Sequence, residues 1–276
     1  MHDSHIGGPL IWPSAEPWPA CDRTITVYDR EADCGTLQDR TPESPVPMVG
    51  VAQFYVRDIP EVPFPEGTDL LQVLWCPNDH LVEDDTPGPF PLLVWRRTSD
   101  VTDVLDETPM RHYATPDSPP GAPAAELSQK GFLPRPCVLH PERITEYPDR
   151  DELPEQLQGA LDEWDDEAGL IYGDLLSIAP GCKVGGWVAW NLTNMYELPC
   201  NVCGTETKPF LKLDSSEWDD NSEPRWRPVE ERHLEWGTTE YMETHEPTTL
   251  QLGRYAALIL FLCPQSTDHG YRLTIQ

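Results

Sequence analysis

The segment Ile6 to Cys21, IGGPLIWPSAEPWPAC, comes back as Val184 to Cys200, VGGWVAWNLTNMYELPC, and this recurrence limits the fold more than any other feature of the chain. Each copy carries a Gly-Gly pair, then a Trp (Trp12 or Trp190), then a Pro and a Cys (Cys21 or Cys200). Later in each half a Gly precedes an apolar run that ends in Cys-Pro and is followed by Asp-His: GTDLLQVLWCPNDH from Gly67 to His80, and GRYAALILFLCPQSTDH from Gly253 to His269. The interval between copies is almost the same at Gly7 and Gly185 as at Cys21 and Cys200. It widens, by loop insertion, before Cys76 and Cys263. Self-similarity of this kind predicts one supersecondary unit used twice, with Trp12 and Trp190 in equivalent places.

Each half also has a second strand candidate, MVGVAQFYVRDI from Met48 to Ile59 and KPFLKLD from Lys208 to Asp214, with the alternation or short apolar run of half-buried strands. The 31 Pro and 18 Gly argue against a helical bundle. The expected class is α+β and β-rich, with internally duplicated antiparallel sheet lobes and one main helix between them, because no regular strand–helix alternation is present. Lobe one is expected over about residues 6–83, a Pro-rich connection and helix over about 84–180, and lobe two over about 184–276. In the helix, Leu153, Leu157, Leu161 and Trp164 recur at spacings of four and three, with Asp151 as N-cap, Gly169 as stop and an acidic, solvated outer face. The Pro-rich stretch from Thr115 to Ser128 reads as a mobile loop between the lobes.

Cys200-x2-Cys203-Gly204 has the spacing of a zinc knuckle, in which a tight turn aims two sulfurs at one cation and Gly relieves the backbone after the second. A closed tetrahedral site needs two more ligands. The repeat offers Cys263 at the end of its strand and His269 after a short turn. Lengthening the loop between ligands from about four residues to about sixty costs only about 2.4 kcal/mol, at roughly 0.6 kcal/mol per doubling. Structural zinc contributes roughly 10–16 kcal/mol in small domains, so the metal term wins. The alternative for the same residues is packing, since free Cys is among the most buried residue types. The first half holds a degraded copy in Cys21, Cys34, Cys76 and His80, where the wide gap from Cys21 to Cys34 breaks the knuckle and argues against a second metal. Cys137 and Cys182 match nothing and read as core thiols.

The chain has 19 Lys and Arg against 48 Asp and Glu, a formal net charge of −29. Such a field repels phosphate backbones, which excludes nucleic acid as a partner, and attracts a basic protein by long-range steering; scattered charge also serves plain solubility. The opening MHDSHIGGPLIWP has neither a basic n-region nor an apolar h-region, and the longest apolar run, Tyr255 to Cys263, is too short to span a bilayer. A soluble cytoplasmic chain without a membrane partner is expected, and in that reducing compartment its thiols are free or metal-bound. Gly-x-Ser-x-Gly, Walker, His-Glu-x-x-His and helix-opening Gly-x-Gly-x-x-Gly signatures are absent. A thiol–imidazole pair of Cys76 and His80 is the nucleophilic arrangement left to weigh, although a Cys between an apolar strand and Pro reads first as structural. The acidic run from Asp214 to Trp226 lacks the fixed geometry of a hard-cation site and reads as an exposed loop.

IGGPLIWP at the start, VAQFYVRDIP followed by FPEGTDLLQVLWC, RITEYPDRDELPEQL, KVGGWVAW, PFLKLDSSEW and the strand YAALILFLC occur in an order that resembles the bacterial YwqG-like family. The likeness runs from about Ile6 to Leu273 and implies a β-rich, internally duplicated sheet architecture with no established reaction. Only five residues precede Ile6, fewer than that pattern suggests, which leaves room for an upstream element. CNVCGTETKPFLKLD and ALILFLC are more loosely similar to the C-terminal domain of the programmed-cell-death-2-like proteins, which implies an escort role. The leading expectation is a non-catalytic protein-binding or adaptor module with a structural zinc, engaging a basic protein, in one form a basic toxin whose nucleic-acid site it covers. The alternatives are a thiol or hydrolytic enzyme using Cys76 and His80, and an escort or chaperone-like protein.

Overall fold

The computed structural model describes residues 3–29, 36–82, 86–106, 130–169 and 171–276, and the recurring segments form two antiparallel sheets. Cys34 and the stretch from Thr115 to Ser128 lie outside the described residues. The chain divides into a first unit, Met1–Pro141 with Thr248–Gly253, and a second, Glu142–Pro247 with Arg254–Gln276.

The first unit contains β1 (His5–Ile6), β2 (Ala20–Cys21), β3 (Ile25–Asp29), β4 (Thr36–Arg40), β5 (Val46–Pro47), β6 (Val49–Tyr55), β7 (Leu70–Leu81), β8 (Pro87–Arg96) and β9 (Cys137–Val138). Its main sheet has the order β8-β7-β6-β1-β9, antiparallel throughout. β6 is buried along its whole length and β7 along nearly all of it, which is why both read as apolar runs rather than strict alternation. Gln53 and Gln72 are buried polar residues of these strands, as Asn78 and His80 are farther along β7, and the two glutamines face each other across β6 and β7. Their amides hold the chain after β1: Ile11 N donates to Gln53 Oε1 (2.9 Å), and Gln72 Nε2 donates to Gln53 Oε1 (3.0 Å) and Ile11 O (2.9 Å). Arg96 Nε completes the set at Gln72 Oε1, so this buried group is satisfied rather than costly.

The second unit contains α1 (Glu155–Ala168), β10 (Lys183–Val184), β11 (Lys208–Asp214), α2 (Glu223–Trp226), α3 (Thr239–His245), β12 (Ala257–Leu262) and β13 (Tyr271–Ile275), and its sheet runs β10-β11-β12-β13, again antiparallel. This is the order β1-β6-β7-β8 over again. The register agrees in detail. Each second strand has its bulge in the same place, between Gly50 and Ala52 and between Pro209 and Leu211, and the carbonyl of the extra residue (Val51 or Phe210) accepts from Gly7 N at 2.6 Å or Gly185 N at 2.9 Å. Gly7 and Gly8 have φ of 68° and 77°; Gly185 and Gly186 have 66° and 78°. Trp12 packs on Trp18 with ring centroids 5.2 Å apart, and Trp190 packs on Tyr196 at 4.9 Å.

The left-handed turn explains the Gly-Gly pair, because an L side chain there costs roughly 1–2 kcal/mol per residue. At Gly7 a Cβ would also stand 2.7 Å from the backbone oxygen of Arg135, which cannot yield without moving the chain. Gly7→Ala is therefore expected to lower unfolding free energy by more than about 2 kcal/mol, measured by denaturant titration. A loss below about 0.5 kcal/mol would mean the turn is not strained.

The copies differ most after their first Cys. In the first unit β2 pairs with β5, and the β3–β4 hairpin fills the interval; in the second, Pro199 bridges Glu206 and the chain closes at once, with Cys200 N donating to Thr205 O (2.8 Å) and Gly204 N to Cys200 O (2.9 Å). A hairpin thus stands where the other copy has its knuckle. The first sheet also runs past the expected boundary near residue 83, since β8 pairs along β7 to Arg96, as β13 pairs with β12.

The expected helix from Leu153 to Trp164 is α1, shifted toward the C-terminus. Pro154 fixes φ and breaks the first turn from the rest, so Asp149, not Asp151, is the cap: with Glu152 it forms a capping box on the short 3-10 turn Arg150–Glu152. Gly169 ends the helix with φ 64° as expected. Leu157 and Trp164 are exposed rather than buried, so the apolar stripe is only partly covered.

A buried ion pair anchors the second unit's Gly-Gly turn. Glu146 Oε1 accepts from Lys183 Nζ (2.5 Å) and Ala179 N (2.8 Å), and Glu146 Oε2 accepts from Trp187 N (2.9 Å); Lys183 Nζ also reaches Trp187 O (2.8 Å). Burial holds the Lys183 ammonium down at about 8, opposed by the Glu146 carboxylate. Among the described residues no helix is long and apolar enough to cross a membrane.

Candidate metal centre

β11 and β12 bring the knuckle and the distant ligands together. Cys200 and Cys203 sit on the tight turn just before β11, Cys263 directly follows β12, and His269 ends the short 3-10 turn Thr267–His269, which Ser266 caps through Asp268 N. β11 and β12 are neighbours, with Lys208 opposite Leu262, so the turn before one strand must lie beside the residue after the other. The donor atoms of Cys200, Cys203, Cys263 and His269 all lie within 4.8 Å of one another. Cys203 Sγ is 3.5 Å from Cys263 Sγ, and Cys200 Sγ is 3.6 Å from His269 Nδ1. A tetrahedral zinc with Zn–S near 2.3 Å and Zn–N near 2.05 Å has edges of about 3.8 Å and 3.6 Å, so the donor set fits that ion.

Backbone amides are aimed at the sulfurs, as anionic thiolates require. Val202 N donates to Cys200 Sγ (3.4 Å), and the amides of Gln265 and Ser266 stand at Cys263 Sγ. Hydrogen bonding to the Thr205 side chain and backbone lowers the Cys203 thiol to about 6, while burial raises that of Cys263. Cys203 is exposed and Cys200 and Cys263 are buried, so the site sits at the surface with its sulfurs half covered.

The first unit gathers Cys21, Cys76 and His80, whose donor atoms also lie within 4.8 Å of one another, all three buried. The imidazole Nε2 is 3.8 Å from Cys21 Sγ. Cys76 and Cys21 share a hydrogen bond that lowers Cys21 and raises Cys76, the latter raised further by burial. Cys137 lies half-buried in β9 opposite Ile6, and Cys182 takes Asp214 N on its sulfur at 3.3 Å. The acidic run from Asp214 forms no metal cluster among the described residues: Asp214 pairs with Lys212 at 2.6 Å, and Asp219 accepts from Asn221 N and Ser222 N ahead of α2.

No family model, curated protein or solved structure matches the chain. The likeness to the YwqG-like family rests on the motifs quoted above.

Sequence reasoning missed the surface carried by the segment around α3. Trp236 is 78% exposed and Val229 70%, and Glu230, Glu235, Glu240 and Glu243 are exposed on the same segment. A lone Trp in a charged stretch was the signal, but its exposure depends on the turns Val229–Glu231 and Thr238, which pattern alone does not locate.

Proposed function

We propose that this chain is a non-catalytic protein-binding module whose second unit is stapled by zinc at Cys200, Cys203, Cys263 and His269. Its partner is a basic protein. The observation that carries this reading is the exposed Trp236 and Val229 among four exposed glutamates, in a chain of net charge −29. Aromatic anchors supply most interface energy, and the glutamates, which outnumber the one exposed arginine between Val229 and Trp236, Arg232, steer a basic partner. A basic toxin with a cationic nucleic-acid site is one partner of that chemistry. The enzyme alternative is disfavoured by burial, because Cys76 is 0% exposed and packed among Leu10, Trp12, Met48 and Leu74, where no substrate reaches it.

The test is capture of basic proteins from native extract by immobilised wild-type and Trp236→Ala chains at low and high salt. Screening shortens the Debye length from about 10 Å at 0.1 M to about 3 Å at 1 M, so capture should fall steeply with salt. Loss of Trp236 is expected to weaken a hot-spot contact at least tenfold, the equivalent of about 1.4 kcal/mol or more. Capture indifferent to both salt and Trp236 would remove the reading.

A further inference from the structure

We infer that the first unit binds a second zinc ion through Cys21, Cys76 and His80, with the Asn78 carboxamide as fourth donor. The strand register makes the two sites counterparts: Cys21 precedes the crossing to β5 as Cys200 precedes the crossing to Thr205, and Cys76 stands on β7 one residue past the partner of Val49, as Cys263 follows Leu262, the partner of Lys208. The amide pattern around the sulfurs is repeated as well. Arg23 N donates to Cys21 Sγ as Val202 N donates to Cys200 Sγ, and Asn78 N donates to Cys76 Sγ as Gln265 N donates to Cys263 Sγ, each two residues on.

The imidazole is oriented in the manner of a metal ligand. His80 Nδ1 donates to Thr24 O at 2.8 Å, which leaves the Nε2 lone pair facing Cys21 Sγ. Among the described residues the first unit has no counterpart of Cys203, and the β3–β4 hairpin stands where the knuckle would be. Asn78 fills that gap. It is 2% exposed, its Nδ2 lies 3.6 Å from Cys76 Sγ, and its Oδ1 is buried without a hydrogen-bond partner. A carboxamide turned end for end has the same shape. Turning Asn78 over puts the oxygen near the sulfur, at the roughly 3.6 Å S···O edge expected for Zn–S of about 2.3 Å and Zn–O of about 2.1 Å. The metal then bonds the oxygen, and the amide nitrogen takes the buried position where the oxygen had no partner. The site is sealed by Trp12, Met48 and Leu74, which pack with both thiols in one apolar cluster, so the ion is structural.

The experiment is metal counting on the full, untagged chain by native mass spectrometry, with zinc alone as the probe, followed by cobalt(II) substitution. Wild type is expected to carry two zinc ions, Cys203→Ser one, and Cys203→Ser with Cys21→Ser none. In Cys203→Ser, cobalt(II) should give tetrahedral d–d bands and a thiolate charge-transfer band sized for two sulfurs. Asn78→Asp should keep the ion and Asn78→Ala weaken it at least tenfold. One zinc in wild type and none in Cys203→Ser would overturn the inference, and this comparison needs no substitution in the core. A single zinc in wild type that Cys203→Ser keeps and Cys21→Ser loses would sink the zinc of the second unit instead, while leaving this one standing.

Discussion

Cys203→Ser is expected to destabilise the chain by about 4 kcal/mol when free zinc stands at a thousand times the dissociation constant, and by almost nothing when zinc is chelated. Cys203 is exposed, and a surface substitution away from special features ordinarily stays within about 0.5 kcal/mol. Any larger effect must therefore pass through what the thiol holds. The sulfur is 3.5 Å from Cys263 Sγ, in a set of four donors within 4.8 Å, and removing one of four ligands opens a closed site. Denaturant midpoints of both chains, with zinc and with a chelator, check this. With chelator the two midpoints should coincide. Equal midpoints in zinc would mean that the four side chains hold nothing.

Glu146→Ala is expected to cost about 3–5 kcal/mol, the penalty for leaving a buried charge without its partner. The Lys183 and Glu146 side chains are only 10% and 7% exposed, and the carboxylate also accepts from the Ala179 and Trp187 amides, so the substitution orphans three donors at once. The sign of the pH dependence follows from burial. Lys183 is depressed to about 8 in the folded chain, below the roughly 10.4 of an unfolded Lys, so the unfolded state binds the proton more tightly between those values. Stability contributed by this group rises as pH goes from about 8 to about 10.4. Glu146→Ala removes the term that opposes burial, so the window should open at lower pH, and Lys183→Met in the Glu146→Ala background should recover much of the loss. A cost under about 1 kcal/mol for Glu146→Ala, or no recovery on adding Lys183→Met, would show the pair to be solvated.

The sheet plan was legible because its signal is local and duplicated. Gly-Gly, Trp and Cys-Pro recur in register, and the same turn, aromatic pair and strand-end thiol recur in space. Cys200 and Cys203 were readable from spacing, and Cys263 and His269 from the repeat. Three things were not readable. The helix start moved because Pro154 separates a capped 3-10 turn from α1, and a pattern of Leu positions runs through both without marking the break. In the first unit Cys21, Cys76 and His80 stood out in the repeat, but that they meet despite the broken knuckle spacing was not readable, because the contact is made by the fold between residues as far apart as Cys21 and His80. Glu146 and Lys183 carry no periodicity, and only the folded turn reveals that each needs the other.

The most direct measurement is the zinc content of untagged wild-type and Cys203→Ser chains prepared side by side, since that exposed sulfur belongs to the second unit's site alone. The variant should hold one zinc ion fewer per chain than wild type; equal zinc content in the two would contradict the metal centre.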